Sequence, residues 1–370
     1  MALLEVEDLV VQFYTDDGVV RAVDGISYEI RAGETVGLVG ESGAGKSVAT
    51  LALLRLIREP GEIVGGEIRF DGRDFLECSA DELREIRGND VAMVFQDADA
   101  ALNPVYTVGE QIAEAIRAHE AVTDREARDR AIALLERVGI PDATARYSDY
   151  PHEFSGGMQQ RVVIAMALSC DPALLLCDEP TTGLDVTVQA GILELLADLA
   201  RESDTAIQLV THDLGVVAEL CDRVLVQYAG QLVERAPVEE LYYDPKHPYT
   251  VGLLASIPRL GDDRDRLATV PGTMPSLVDP PTGCRFHPRC PYAEEACARR
   301  DPPLVESESR TPAADTGPDA HLAACLEYTG DLEDGLEYEV QVRDDEREDE
   351  TDDSRRDRES GDRDHRGETR

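Results

Sequence analysis

The stretch ETVGLVGESGAGKS (34–47) decides the fold. TVGLV is a short apolar run ending on glycine, and GESGAGKS (40–47) fits the pattern G-x-x-x-x-G-K-[ST]. A strand that enters such a loop and leaves as a helix aims successive backbone N–H groups, and the positive end of the helix, at one point. That point suits a phosphate chain. Gly40, Gly43 and Gly45 allow backbone conformations that a side chain would block. Glu41, Ser42, Ala44 and Val48 complete the loop and the entry to its helix, and are expected around the phosphates of ATP. Lys46 is expected to reach the β- and γ-phosphates, and the Ser47 hydroxyl to ligate Mg²⁺. The alternative is an ordinary glycine-rich turn; the strand–loop–helix setting argues against it. The chain has two lysines, Lys46 and Lys246, beside 34 arginines, so a lysine kept inside this loop stands out.

Upstream, LLEVEDLVVQFY and VVRAVDGISYEI alternate as strands. Downstream, a helix is expected from Lys46 to about Arg58, a hairpin-like stretch over 61–77 and a buried strand at VAMVFQ (91–96). Helix is expected over 107–139 and 156–169. LLLCDEP (174–180) and AIQLVTHD (206–213) are short apolar strands with polar ends. Apolar strands alternating with helices predict an α/β fold with a parallel sheet covered on both faces. Ligands of such sheets bind at the carboxyl ends of strands, where Gly40, Gln96, Asp178 and His212 all fall. Asp178 is expected to hold Mg²⁺, and Glu179 to polarise the attacking water as general base. Gln96 suits Mg²⁺ or that water, and His212 the γ-phosphate; for either alone a structural role competes. FSGGMQQR (154–161) opens a helix capped by Ser155, with Gly156 and Gly157 leaving its N–H groups open to an anion. One chain with two phosphate sites needs an explanation.

The formal charge is −40, of which 18 acids and 8 arginines after residue 330 contribute −10. A body carrying the remaining −30 repels nucleic acid. Adaptation to high salt is one reading, since salt screens self-repulsion, and codon bias is another. No apolar run approaches the roughly 18 residues of a membrane span, and MALLEVEDLV lacks the basic start of a signal peptide. The chain is expected in the cytoplasm, reaching a membrane only through partners. Composition shifts at Pro237: residues 237–330 are Pro-rich and irregular, and 331–370 are Asp/Glu/Arg repeats expected to be disordered.

Taken in order, GESGAGKS, Gln96, FSGGMQQR, LLLCDEP, GLD (183–185) and THD (211–213) resemble the ATP-binding subunit of an ABC transporter over residues 3–235. The resemblance implies a P-loop NTPase domain over 1–236. It combines a mostly parallel core sheet, an antiparallel β subdomain and a helical subdomain at about 97–170. It implies a head-to-tail dimer in which Ser155, Gly156, Gly157 and Gln159 of one subunit close on ATP held by the other. That accounts for the second anion site. Asp185 then lies at the dimer interface, and an aromatic residue near the N-terminus stacks on adenine, Phe13 or alternatively Tyr14. LNP and TVGEQI after Gln96 are similar to the peptide and nickel importer branch, whose members often carry proline where this chain has Ala98. The implied partners are two membrane permeases, a second ATPase subunit (a sister or a second copy) and, indirectly, an extracytoplasmic solute-binding protein.

Cys284, Cys290, Cys297 and Cys325 leave metal, free thiols and disulfides open by spacing alone, and lack the close C-x₂₋₄-C pairs of most zinc sites. Cys78, Cys170, Cys177 and Cys221 read as small buried residues. HPYTVGLLASIP, GTMPSL and GCRFHPRCPYA resemble the C-terminal extension of dipeptide and oligopeptide importer ATPases. That resemblance implies a metal-binding extension with a [4Fe–4S] cluster on the four late cysteines, ahead of Zn²⁺; His287 and His321 are alternate ligands or, by preference, bystanders. The expected function is ATP hydrolysis energising a peptide importer, with nickel or another small solute as alternative cargo. A soluble ATPase of DNA repair or translation is the rival, and so is a regulatory subunit with degenerate sites.

Overall fold

Residues 2–202, 204–257, 270–309, 311–313, 316–333 and 336 are described by a computed structural model. The tail expected from residue 331 lies outside them, apart from 331–333 and 336. The strands are β1 (Ala2–Thr15), β2 (Gly18–Arg31), β3 (Thr35–Val39), β4 (Gly61–Phe70), β5 (Arg73–Asp74), β6 (Val91–Val94), β7 (Leu174–Asp178), β8 (Ala206–Thr211), β9 (Arg223–Tyr228), β10 (Gln231–Pro237), β11 (Val305–Glu306) and β12 (Leu322–Ala323). They form two sheets, in the orders β2-β1-β4-β5 and β11-β12-β10-β9-β3-β8-β7-β6.

In β1 the buried residues are Leu4 and Val6, then Leu9 and Val11. Strict alternation would place these two pairs on opposite faces. A register shift between Val6 and Leu9, with Asp8 at φ 45°, restores them to one face. The second sheet is parallel from β9 through β3, β8 and β7 to β6. Its central strands are buried from end to end, which is why they read as unbroken apolar runs. Successive residues serve two different cores. Leu38, Leu174, Leu176 and Leu225 pack with the antiparallel sheet and the Lys46–Leu53 helix. Val39, Leu175, Cys177 and Val226 pack with the helical segment and the C-terminal residues.

Three helix expectations change. The Lys46 helix ends at Leu53 rather than Arg58. There Arg55 turns to φ 50°, and the freed Leu54 carbonyl accepts from Arg87 Nε at 2.9 Å. The region 107–139 is two helices, Val108–His119 and Asp124–Arg137. Thr123 and Glu126 form a reciprocal capping box that starts the second one. Residues 237–330 are less irregular than their composition suggests. They contain the helices Val238–Tyr243 and Pro248–Ala255, and β12 extends the core sheet by pairing Glu234 with Ala323 and Arg235 with Leu322. No helix among the described residues is long and apolar enough to cross a membrane.

Candidate functional site

Since β3, β8, β7 and β6 are parallel neighbours, their carboxyl ends form one edge. The 40–47 loop leaves β3 at that edge. Gly40 (φ 154°) and Gly45 (φ 103°) are required by close approach as well as by conformation. A Cβ on Gly40 would stand 2.2 Å from the Gln227 carbonyl oxygen, and one on Gly45 2.1 Å from that of Ala22. Lys46 is 5% exposed and donates from Nζ to Gly40 O at 2.7 Å and Glu41 O at 3.1 Å. Burial lowers its pKa, and the carboxylates of Glu179, Asp178 and Glu41 work against that. The ammonium thus closes the loop on its own carbonyl oxygens. Val48 packs its side chain into the core below.

Ser47 Oγ donates to Asp178 Oδ1 at 2.9 Å, tying the first turn of the helix to the end of β7. Burial raises the pKa of Asp178, the Ser47 donor opposes the shift, and neighbouring Glu179 adds to it. Glu179 sits at φ 47°, an uncommon conformation for glutamate, and its N–H donates to Val210 O at 2.9 Å. Its carboxylate is a hub. Oε2 accepts from Gln96 Nε2 at 3.3 Å and Thr182 Oγ1 at 2.9 Å, and Oε1 lies 3.6 Å from His212 Nδ1. Lys46, Ser47, Gln96, Asp178, Glu179 and His212 are therefore brought together. Thr182 was missed: one threonine four residues after Asp178 carries no signal until the turn folds.

Ser155 caps the Gly156–Ala167 helix, accepting from Met158 N–H at 3.4 Å. Gly156 is exposed, and a Cβ on Gly157 would meet Val188 Cγ1 at 2.2 Å. Gln159 is buried and donates to Pro151 O at 2.9 Å, so its amide braces the segment before the cap. Asp185 accepts from Val188 N–H at 3.0 Å and starts the Val186–Glu202 helix. Phe13 is half-buried, and a Cβ on Gly61 would strike its ring; Tyr14 is 47% exposed.

A metal centre on Cys284, Cys290, Cys297 and Cys325 was expected. Among the described residues, no group of three or more His, Cys, Asp or Glu side chains is arranged to hold a metal ion. All four late cysteines are free thiols. They do converge. Cys284 N–H donates to Cys297 O at 2.8 Å, and the thiols of Cys284, Cys290 and Cys297 all lie within electrostatic reach of Cys325. Burial pushes Cys284 and Cys325 up to about 12 and Cys290 to about 11, and neighbouring thiols add to this. His321 Nε2 pairs with buried Glu234 at 2.7 Å, and His287 Nδ1 lies 2.9 Å from Cys284 O.

Similarity to known proteins agrees with this geometry. The family profile described as ABC transporter matches residues 23–182, and the one described as oligopeptide/dipeptide transporter, C-terminal region, matches 233–297. The dipeptide transport ATP-binding protein of Escherichia coli (strain K12) is 49% identical over 304 residues, covering 82% of this chain and 93% of that protein. The Haemophilus influenzae protein of the same description is 48% identical over 310 residues, covering 84% and 94%. Among solved structures, a dimeric ATP-binding cassette in a post-hydrolysis state bound to ADP and Pi matches with a TM-score of 0.58 at 27% identity, covering 64% of this chain and 98% of its own. A cassette from Clostridium perfringens, part of an ABC transporter complex, gives 0.56 at 29% identity, covering 66% and 91%. The phosphate-loop edge, the carboxylate hub and these likenesses agree: the chain belongs to the ABC transporter family, as an ATPase cassette continued by the C-terminal region of its oligopeptide/dipeptide members.

Proposed function

We propose that the chain is the ATP-hydrolysing subunit of a peptide importer. The observation that carries the catalytic part is the Glu179 carboxylate, held between Gln96, Thr182 and His212 next to the Ser47–Asp178 pair. In this reading the 40–47 backbone cradles the phosphates and Lys46 turns from the loop carbonyls to the β- and γ-phosphates. The 2.9 Å Ser47–Asp178 contact supports Ser47 and Asp178, with Gln96, as the Mg²⁺ residues, because two oxygens already side by side can share a cation. Bound Mg²⁺ supplies charge neutralisation on the phosphate oxygens. Glu179 accepts the proton of the attacking water, Gln96 orients that water and His212 faces the γ-phosphate. Phe13 is assigned to adenine ahead of Tyr14.

Ser155, Gly156 and Gly157 are assigned to the ATP of a second cassette, with Asp185 and Gln159 supporting that face. The open helix N-terminus and the dimeric neighbour carrying ADP and Pi support this assignment. Closure of such a dimer would act on two membrane permeases at the cytoplasmic face, with a binding protein delivering cargo. Peptide is favoured because the relatives from E. coli and H. influenzae carry dipeptide transport in their descriptions. The domain limits proposed are 1–236, 237–330 and 331–370. A [4Fe–4S] cluster is the finer reading of the four late thiols. They are gathered in one region, and deprotonation together with a local closing of ligand geometry would be required. Metal analysis of anaerobically purified protein decides: about four irons per chain support the cluster, and metal-free protein refutes it.

The test of the catalytic assignment is Glu179→Gln. It is expected to keep ATP affinity and to lower kcat at least about 100-fold. Near-normal turnover would refute the general-base role. Co-purification with two permeases supports the importer, and recovery with ribosomes or nucleic acid instead would overturn it.

A further inference from the structure

The turn CRFHPRC (284–290) bears two arginines, and both reach away from the cysteines into the cassette. Arg285 donates to Asp24 and to Ala229 O. Arg289 is 7% exposed and makes a fork with Glu41, the second residue of the phosphate loop, at 2.6 Å and 3.0 Å. Its Nε is fixed by Pro271 O at 2.6 Å, so the guanidinium has one orientation. A second contact from the C-terminal segment reaches the same residue: Glu41 N–H donates to the hydroxyl of fully buried Tyr249 at 2.8 Å. Tyr249 packs on Tyr228 at a centroid distance of 4.6 Å and on Phe286 at 5.4 Å. Phe286 belongs to the same turn as Arg289, so the two contacts form one rigid unit.

Glu41 poses a problem that these contacts solve. A carboxylate at the second position of a loop that must receive a polyphosphate is a like charge beside the ligand. A bidentate arginine neutralises it and also fixes its direction. The Tyr249 hydroxyl meanwhile occupies one loop N–H that would otherwise be free to turn. We infer that Arg289 and Tyr249 are positioning residues for the phosphate loop, so that the cysteine-bearing turn sets how tightly the cassette holds ATP.

The inference rests on the proposed ATP site, and one set of titrations separates the two. Affinity for ATP with Mg²⁺ is measured by calorimetry on the full chain. Lys46→Ala tests the site; if it leaves affinity unchanged, the site reading fails and the inference with it. Given that Lys46→Ala abolishes binding, Arg289→Ala is expected to raise Kd about tenfold, the size of one lost charge-assisted contact. Arg289→Lys should recover little, because a point charge does not replace the fork. Tyr249→Phe is expected to raise Kd about threefold. The discriminating variant is Arg289→Ala with Glu41→Gln, which removes the unpaired charge and should return Kd to within about threefold of the parent. A purely structural arginine would not be rescued from Glu41. An unchanged Kd in Arg289→Ala, or no rescue by Glu41→Gln, overturns the inference.

Discussion

Asp178 illustrates how a site residue works against the fold that carries it. It is 5% exposed and next to Glu179, with the Ser47 hydroxyl and the Lys46 ammonium only partly offsetting its burial. Burial raises its pKa. An acid whose folded pKa lies above its unfolded value destabilises the folded state at neutral pH, and the cost is relieved as pH falls through the raised pKa. Asp178→Asn is therefore expected to raise the melting temperature of nucleotide-free protein by roughly 2 °C while abolishing Mg²⁺-dependent hydrolysis. A lower melting temperature would show that the carboxylate is needed for packing. Gly45 is the opposite case. An added Cβ has backbone oxygen 2.1 Å away, so Gly45→Ala is expected to lose ATP binding and stability together, read by calorimetry and thermal unfolding. At this scale the legible residues were those within contiguous patterns. Thr182, Arg289 and Tyr249 were not, because what makes them part of the site is a partner brought from elsewhere in the fold. Arg289 and Glu41 are 248 residues apart.

Helices were legible in type and less so in extent. The apolar period over 107–139 is real, yet the chain breaks between Glu120 and Thr123. The signal was present: Thr123 with Glu126 three residues on is a capping box just before a new helix. Thr123→Ala is expected to lower stability by about 1 kcal/mol through loss of that cap, seen as a lower denaturant midpoint. An unchanged midpoint would mean tertiary packing alone sets the boundary. The end of the Lys46 helix was not legible. It depends on Arg87 reaching the Leu54 carbonyl from a later helix terminus. Pro248–Ala255 went unread for a different reason: one short helix inside a Pro-rich stretch shows too few turns for its period to stand out.

For the whole molecule the dominant sequence feature is charge. A body at −30 repels itself, and the screening length falls from about 10 Å at 0.1 M salt to about 3 Å at 1 M. The melting temperature is therefore expected to rise between 0.1 and 1 M KCl. A flat or falling curve would show that local pairs such as Arg223 with Glu34 already compensate the net charge, and would remove the reason for reading the composition as an adaptation to salt. The C-terminal segment is joined to the cassette through β12 on β10, the Arg31–Asp319 pair at 2.7 Å and the contacts to Glu41. Composition alone had separated it at Pro237.

The order and spacing of residues by themselves determined the strand–loop–helix unit, the parallel sheet and the edge on which Lys46, Asp178, Glu179, Gln96 and His212 meet. Each of these follows from local pattern and from the rule that parallel strands present their carboxyl ends together. Only the tertiary structure decided which residues hold Glu179 and Glu41 in place, where the helices stop, and that the late cysteines lie near one another. Those outcomes depend on burial and on hydrogen bonds between distant segments, and both arise only once the layers have packed.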